Sequence, residues 1–161
     1  MRRKDREVKD FARILEIIEN CNTIRLAFND GDVPYIVPLS FGYEADGEQL
    51  YFYIHGALKG KKADLIEQNG KCFFEMDREL GLELMPEVPD VTMRYESLMG
   101  KADIEILPPE ERRAALDIMM QKNEATRDFE WNYAAAPRTL VARLTVTEFT
   151  GKVNPIGGNA D

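Results

Sequence analysis

Histidine is nearly absent from this sequence. The one copy is His55, and cysteine occurs only as Cys21 and Cys72. Neither cysteine belongs to a Cys-X-X-Cys pair or lies near a second histidine, so the chain offers no zinc-ligand set and no metal is expected. No apolar run approaches the roughly 18 residues of a membrane helix. The charged opening Arg2-Arg3-Lys4-Asp5-Arg6-Glu7 also lacks the apolar core of a signal peptide. A soluble, cytoplasmic protein with reduced thiols and no membrane partner is the expectation. Positive charge is scarce: 21 basic residues stand against 29 acidic ones, a formal charge of -8, which argues against nucleic acid as a partner. There are no long internal repeats. The 161 residues, 44% of them hydrophobic, suffice for one domain with a real core, spanning 1–161.

The densest chemistry lies in Leu50-Tyr51-Phe52-Tyr53-Ile54-His55-Gly56-Ala57-Leu58-Lys59-Gly60-Lys61-Lys62. Alternation puts Leu50, Phe52 and Ile54 on one face of a strand and Tyr51, Tyr53 and His55 on the other. A helical stretch from Leu58 to Gln68 follows. Lys59, Lys61 and Lys62 at its start oppose the helix dipole by about 0.3–1 kcal/mol each. A phosphate there would remove the conflict and meet free N–H groups as well.

Around this corner the pattern is mostly that of strands. A first helix is expected from about Asp5 to Glu19, carrying Val8, Phe11, Ala12, Leu15 and Ile18. Ile24, Leu26 and Phe28 then alternate up to the turn Asn29-Asp30-Gly31-Asp32. Val33, Tyr35, Val37, Leu39, Phe41 and Tyr43 read as one further strand, and Ala45-Asp46-Gly47-Glu48 as the next turn. On the Val33 strand the opposite face carries Pro34, Ile36, Pro38, Ser40 and Gly42, which leaves room for something flat and suits an edge.

Lys71 to Met76 reads as a strand, with Cys72, Phe74 and Met76 as core, and the acidic, proline-bearing stretch Asp77 to Asp90 as a loop. Thr92 to Ile106 reads as a long strand whose apolar phase slips near Gly100, predicting a bulge or bend. Pro108-Pro109-Glu110-Glu111 begins a helix running to about Asn123, with Met119, Met120 and its leucines in the core. Trp131 reads as a packing anchor, Leu140 to Phe149 as a strand, and 155–161 as a loose tail. About six strands and three helices, joined mostly as hairpins, predict a mainly β protein: an antiparallel barrel with flanking helices.

Pro34-Tyr35-Ile36-Val37-Pro38-Leu39-Ser40-Phe41, the spacing His55-X-Ala57-X-X-Gly60-X-Lys62, Tyr95-X-Ser97 and the closing Phe149-Thr150-Gly151-Lys152 together resemble the pyridoxamine-phosphate-oxidase-like flavoproteins. Within that superfamily they are similar to the nitroimidazole-resistance branch, over about residues 5 to 153. The resemblance implies a split β-barrel homodimer with one FMN in each of two clefts between subunits. By position, Val37, Pro38, Leu39 and Ser40 would line the isoalloxazine ring, mostly through backbone groups. Tyr53, Ile54 and His55 would continue that surface, Gly60 would belong to the cofactor site, and Lys61 and Lys62 would take the phosphate. Tyr95 and Ser97 would approach from the second subunit.

The implied activity is an FMN-dependent oxidoreductase passing electrons from a donor such as a reduced nicotinamide to a nitro- or quinone-like small molecule. His55 is the candidate catalytic residue, although flavin N5 exchanges hydride without a side-chain base. Oxidation of pyridoxamine phosphate itself is not expected, since that anion wants a second basic cluster. Two rival readings stand beside this one: a haem-binding split barrel with His55 as an iron ligand, and a cofactor-free dimeric binding module.

Overall fold

The computed structural model describes residues 3–87, 90–122 and 133–154. Trp131, Asn123 and the tail 155–161 lie outside them. Eight strands form one antiparallel sheet: β1 (Glu7–Val8), β2 (Ile24–Phe28), β3 (Tyr35–Leu39), β4 (Phe41–Asp46), β5 (Gln49–Ala57), β6 (Lys71–Met85), β7 (Asp90–Ile106) and β8 (Thr139–Asn154). The order is β3-β2-β6-β7-β8-β5-β4, with β1 added alongside β8. The sheet curls without closing, so the fold is a split β-barrel with helices α1 (Phe11–Asn20), α2 (Lys61–Asn69) and α3 (Arg112–Lys122) around it.

The two edges of the sheet are β3 and β4, which the alternation had merged into one strand. Only Ser40 separates them, yet β3 pairs with β2 and β4 with β5. The inward phase Tyr35, Val37, Leu39, Phe41 and Tyr43 does run unbroken through the corner, which is why periodicity alone saw a single strand. Pro34 and Pro38 thus lie before and within an edge strand, where a missing N–H costs no ladder bond on the open side.

One core fills the barrel. Phe52, Phe74, Leu26, Ile54, Leu98 and Leu144 are fully buried, with Phe52 edge-on to Phe41 and Phe74 at 5.7 and 5.2 Å between centroids. Cys72 and Cys21 are buried thiols at its margin. Helix α1 starts later than its apolar phase suggested, because the Asp10 carboxylate accepts from the Ala12 N–H as an N-cap while Glu7–Val8 pairs with β8. Its buried side chains are Ile14, Ile17 and Ile18, and Ala12 is exposed.

Helix α1 is tied to β7 by Arg13, which donates at 2.7 Å to Glu96, itself only 2% exposed. Toward the other end of β7, α2 packs Ala63, Leu65 and Ile66 into the same core, and the Ile104 N–H donates to Gly70. Helix α3 covers the outer face of β4, β5 and β8, burying Ala115 and Met119 against Tyr53, Leu107 and Val141, while Met120 and Leu116 are only half-buried. A side chain at Gly42 would approach the Met119 backbone to 2.6 Å. The space on that face at residue 42 is therefore filled by a helix, whereas Ile36, Pro38 and Ser40 are exposed.

Two further expectations need correction. The stretch Asp77–Asp90 is not a loop as a whole: β6 continues to Met85 and pairs with β7 from Asp90, forming a two-stranded arm with Leu80 as an extra residue beside Gly81. Alternation of Leu82 and Leu84 with charged residues is the strand signal that the acids and prolines obscured. The phase slip at Gly100 is also absent, because Leu98, Gly100, Ala102 and Ile104 all face inward. The irregularity lies across the ladder instead: Lys101 opposes Glu148 and Ala102 opposes Val146, which leaves Thr147 as the extra residue on β8.

Candidate functional site

Strand β5 ends at Ala57, and the chain turns through Leu58, Lys59 and Gly60 before α2 begins at Lys61, three residues later than the sequence suggested. Gly60 has φ +121°, a conformation that side chains rarely adopt. The first intrahelical bond is Asp64 N–H to the Gly60 carbonyl at 3.2 Å, so the N–H groups of Lys61, Lys62 and Ala63 have no acceptor within the helix. Lys62 folds back and donates to the His55 carbonyl at 3.0 Å. Its ammonium lies where a Cβ on Gly56 would be.

Lys61 turns the other way, to an ion pair with Asp30 and a position 5.5 Å above the Tyr35 ring. The structure thus gathers His55, Gly56, Gly60 and Lys62, and directs Lys61 to the β2–β3 turn. Burial lowers the pKa of Lys62. Burial first, and the Lys62 charge second, lower that of His55.

Pro38 on β3 and Ser40 just after it present side chains outward, while Val37 and Leu39 pack on the core and offer only backbone outside. On β5, Ile54 is fully buried. The Tyr53 ring lies beneath α3 with its hydroxyl donating to Glu44 at 2.7 Å; burial, then that bond, push its pKa up to about 12. His55 is the one side chain of this trio at the surface.

Tyr95 and Ser97 lie on the same side of β7, Tyr95 half-buried and Ser97 buried, and each has a partner on β8: Tyr95 opposes Asn154 and Ser97 opposes Lys152. The Lys152 ammonium stands 5.1 Å from the Tyr95 ring centroid, and Arg6 donates to the Tyr95 hydroxyl at 3.4 Å. Burial alone would raise the phenol's pKa, but hydrogen bonds from Lys152 and Arg6 and their charges outweigh it and lower it. Sequence reading missed these two cations. They sit 146 positions apart, and only the β1–β8 and β7–β8 pairings bring them to one phenol.

The same outer face is partly apolar. Ile36, Phe73, Leu82, Leu84, Val91, Met93 and Met99 are seven of the nine large hydrophobic residues exposed among those described. The pairings Ala27–Ile36, Ala27–Phe73, Glu75–Met99, Leu82–Met93 and Leu84–Val91 put them on one surface running from β3 to the arm. Charged residues share that face, with Arg25, Glu75, Asp77 and Lys101 around Phe73 and Met99, so the apolar side chains gather in two groups, one at Ile36 and Phe73 and one on the arm, and the arm group marks an interaction surface.

A planar, phosphate-bearing ring such as FMN fits the β5–α2 corner and the β3 edge. The corner offers three helix N–H groups without an intrahelical acceptor and the Lys62 ammonium over the side-chain-free Gly56, and Pro38 and Ser40 stand exposed at the β3 edge. Among the described residues no cluster of three or more His, Cys, Asp or Glu could hold a metal ion. No helix among them is long and apolar enough to cross a membrane.

Comparison with known proteins agrees with this geometry. The pyridoxamine 5'-phosphate oxidase family matches residues 10–153. The chain belongs to that family. A solved structure described as a 5-nitroimidazole antibiotic resistance protein, from Bacteroides thetaiotaomicron, is 30% identical with a TM-score of 0.77 over 91% of this chain and 86% of that one. A NimC/NimA family protein from Clostridium acetobutylicum is 19% identical, with a TM-score of 0.51 over 89% and 86% of the two chains. These place the chain with the nitroimidazole-resistance branch of the oxidase family. The FAD and heme binding protein of Mycobacterium smegmatis shares the fold at 15% identity, TM-score 0.80, over 96% of this chain and 77% of that one. No curated protein matches the sequence.

Proposed function

We propose that this member of the oxidase family is a homodimeric FMN protein that reduces a nitro- or quinone-like acceptor at the expense of a reduced nicotinamide. The observation that carries the reading is the β5–α2 corner. Lys62 and the open N–H groups at the start of α2 supply charge and donors for a phosphate. Gly56 and Gly60 leave the approach free of side chains. Bound FMN would supply hydride exchange, which the chain's own residues do not.

The residues hold and orient the ring. Pro38 and Ser40, with the backbone of Val37 and Leu39, form a surface for one side of it, and His55 stands at its margin. Tyr53 and Ile54 contribute backbone only, because α3 and the core cover their side chains. Tyr95 and Ser97 would come from the second subunit. The exposed apolar residues of the arm, Leu82, Leu84, Val91 and Met93, support that assembly, since an interface core is rich in such side chains, with the Arg25–Glu75–Asp77 ion pairs at its rim.

With a pKa below the ordinary value His55 is neutral at pH 7, which suits hydrogen bonding to ring or substrate. The test is an absorbance spectrum of the purified protein, followed by fluorescence titration with FMN and riboflavin. Flavin bands and a clear preference for FMN are expected. A Soret band would support the haem reading, and a chain that binds neither cofactor would support the binding-module reading.

A further inference from the structure

We propose that Tyr95, with the Lys152 ammonium and the Arg6 guanidinium around it, receives a carbonyl oxygen of a quinone acceptor and donates the proton its reduction requires. The inference rests on the flavin reading above and names the substrate class and acid of that same site.

The geometry is unusual for this chain. It carries eleven ion pairs among its described residues, yet neither Arg6 nor Lys152 takes part in one. Both address Tyr95 instead, one at the hydroxyl and one over the ring. The charged groups facing the phenol are few. Arg3 and Asp5 neutralise each other, Glu7 opposes Lys152 on β1, and Glu79 opposes Tyr95 on β6. In a protein of charge -8 two cations thus converge on one phenol, although Arg6 also acts on Asp5 and Lys152 stands opposite Glu7.

A quinone becomes a hydroquinone by gaining two electrons and two protons. FMN, once bound and reduced by a dihydronicotinamide, would supply a hydride, which is both electrons and one of the hydrogens. The second is the Tyr95 proton: its O–H bond breaks as one forms at the substrate oxygen. The phenolate that remains lies between Lys152 and Arg6 until water returns the proton. A phenol so placed ionises more readily than a free one, in keeping with its lowered pKa.

The experiment uses the FMN-loaded protein, reduced anaerobically and mixed with 1,4-benzoquinone or with ferricyanide while flavin reoxidation is followed. Ferricyanide takes electrons without a proton and serves as the control for an intact site. Tyr95→Phe is expected to slow the quinone reaction by about 100-fold more than it slows the ferricyanide reaction, the usual yield of a positioned acid, so that the ratio of the two rates, rather than either alone, reads the lost proton. Lys152→Met should slow the quinone reaction less and shift its alkaline limb, and the tyrosinate absorbance of Tyr95, to higher pH.

Equal slowing with both acceptors, or no slowing with either, overturns the proposal. A tyrosinate titration unmoved by Lys152→Met overturns it as well. A wild-type protein that binds no flavin brings down the flavin reading itself. Flavin bound normally with an unaltered Tyr95→Phe rate brings down this inference alone.

Discussion

The Lys62 ammonium donates to the His55 carbonyl at 3.0 Å and occupies the space a side chain at residue 56 would need. One lysine thereby links the end of β5 to the start of α2, and its partner is a neutral carbonyl that leaves the charge uncompensated. A phosphate arriving there gains a charge-assisted bond of about 1.5–3 kcal/mol, or roughly 10- to 150-fold in affinity. Lys62→Met should weaken FMN by that factor and riboflavin far less, as read by fluorescence titration. Lys61→Met should have the smaller effect, because Asp30 already neutralises Lys61. Equal losses for FMN and riboflavin would remove Lys62 from the phosphate.

His55 gives a stability signature with a definite sign. Its folded pKa lies below the ordinary histidine value of about 6.5, so the unfolded chain binds more protons as pH falls through that range. The contribution is complete above about pH 6.5 and is lost as pH drops toward the folded value. Urea midpoints measured from about pH 5 to 8 should fall at the acid end for wild type and flatten in His55→Gln. Identical slopes would show that the folded environment does not oppose the imidazolium.

The outer sheet face should govern assembly. Phe73→Glu or Leu84→Glu buries a charge in any interface formed there, so sedimentation velocity should show the dimer giving way to monomer while circular dichroism stays native. Because the second subunit completes the proposed cleft, FMN affinity should fall as the dimer dissociates and recover at high protein concentration. Stoichiometric, tight FMN binding by a monomer would refute the two-subunit cleft.

Glu96 is the buried carboxylate that ties α1 to β7 through Arg13, with Arg78 3.9 Å away. Its removal strands a guanidinium that is about one-third exposed, so water repays part of the loss. Glu96→Ala should cost about 1–3 kcal/mol, measured by denaturant unfolding. A variant as stable as wild type would mean that Arg13 finds equal partners in solvent and Glu16.

Much of this architecture was legible from alternation. The inward residues of β2, β5 and the Lys71–Met76 part of β6 follow period two, and turns at Gly31 and Gly47 mark the hairpins. What escaped was pairing, which period cannot encode. Tyr35–Tyr43 keeps one phase although Ser40 divides two opposite edges of the sheet. The arm of Leu82, Leu84, Val91 and Met93 alternates too, but its apolar side faces outward, where no core enforces the pattern. At the site, His55, Gly60 and Lys62 were legible from spacing. The opposed directions of Lys61 and Lys62, and the meeting of Arg6, Tyr95 and Lys152, depend on side-chain rotamers and strand register.

The pairing of Glu7 with Lys152 and Val8 with Gly151 also bears on how the chain reaches this state. Contacts between residues so distant in sequence reward the chain only after a large loop has closed, so they form late and slow the overall reaction. The hairpins β4–β5 and β6–β7 are local enough to form early, whereas the first strand must wait for the last. Lys152 meets Tyr95 when β8 pairs with β7, whereas Arg6 reaches it only at the final closure. A folding intermediate lacking β1 would carry a nearly complete barrel core and no assembled cation pair, and refolding followed at Tyr95 should lag behind refolding followed at the core.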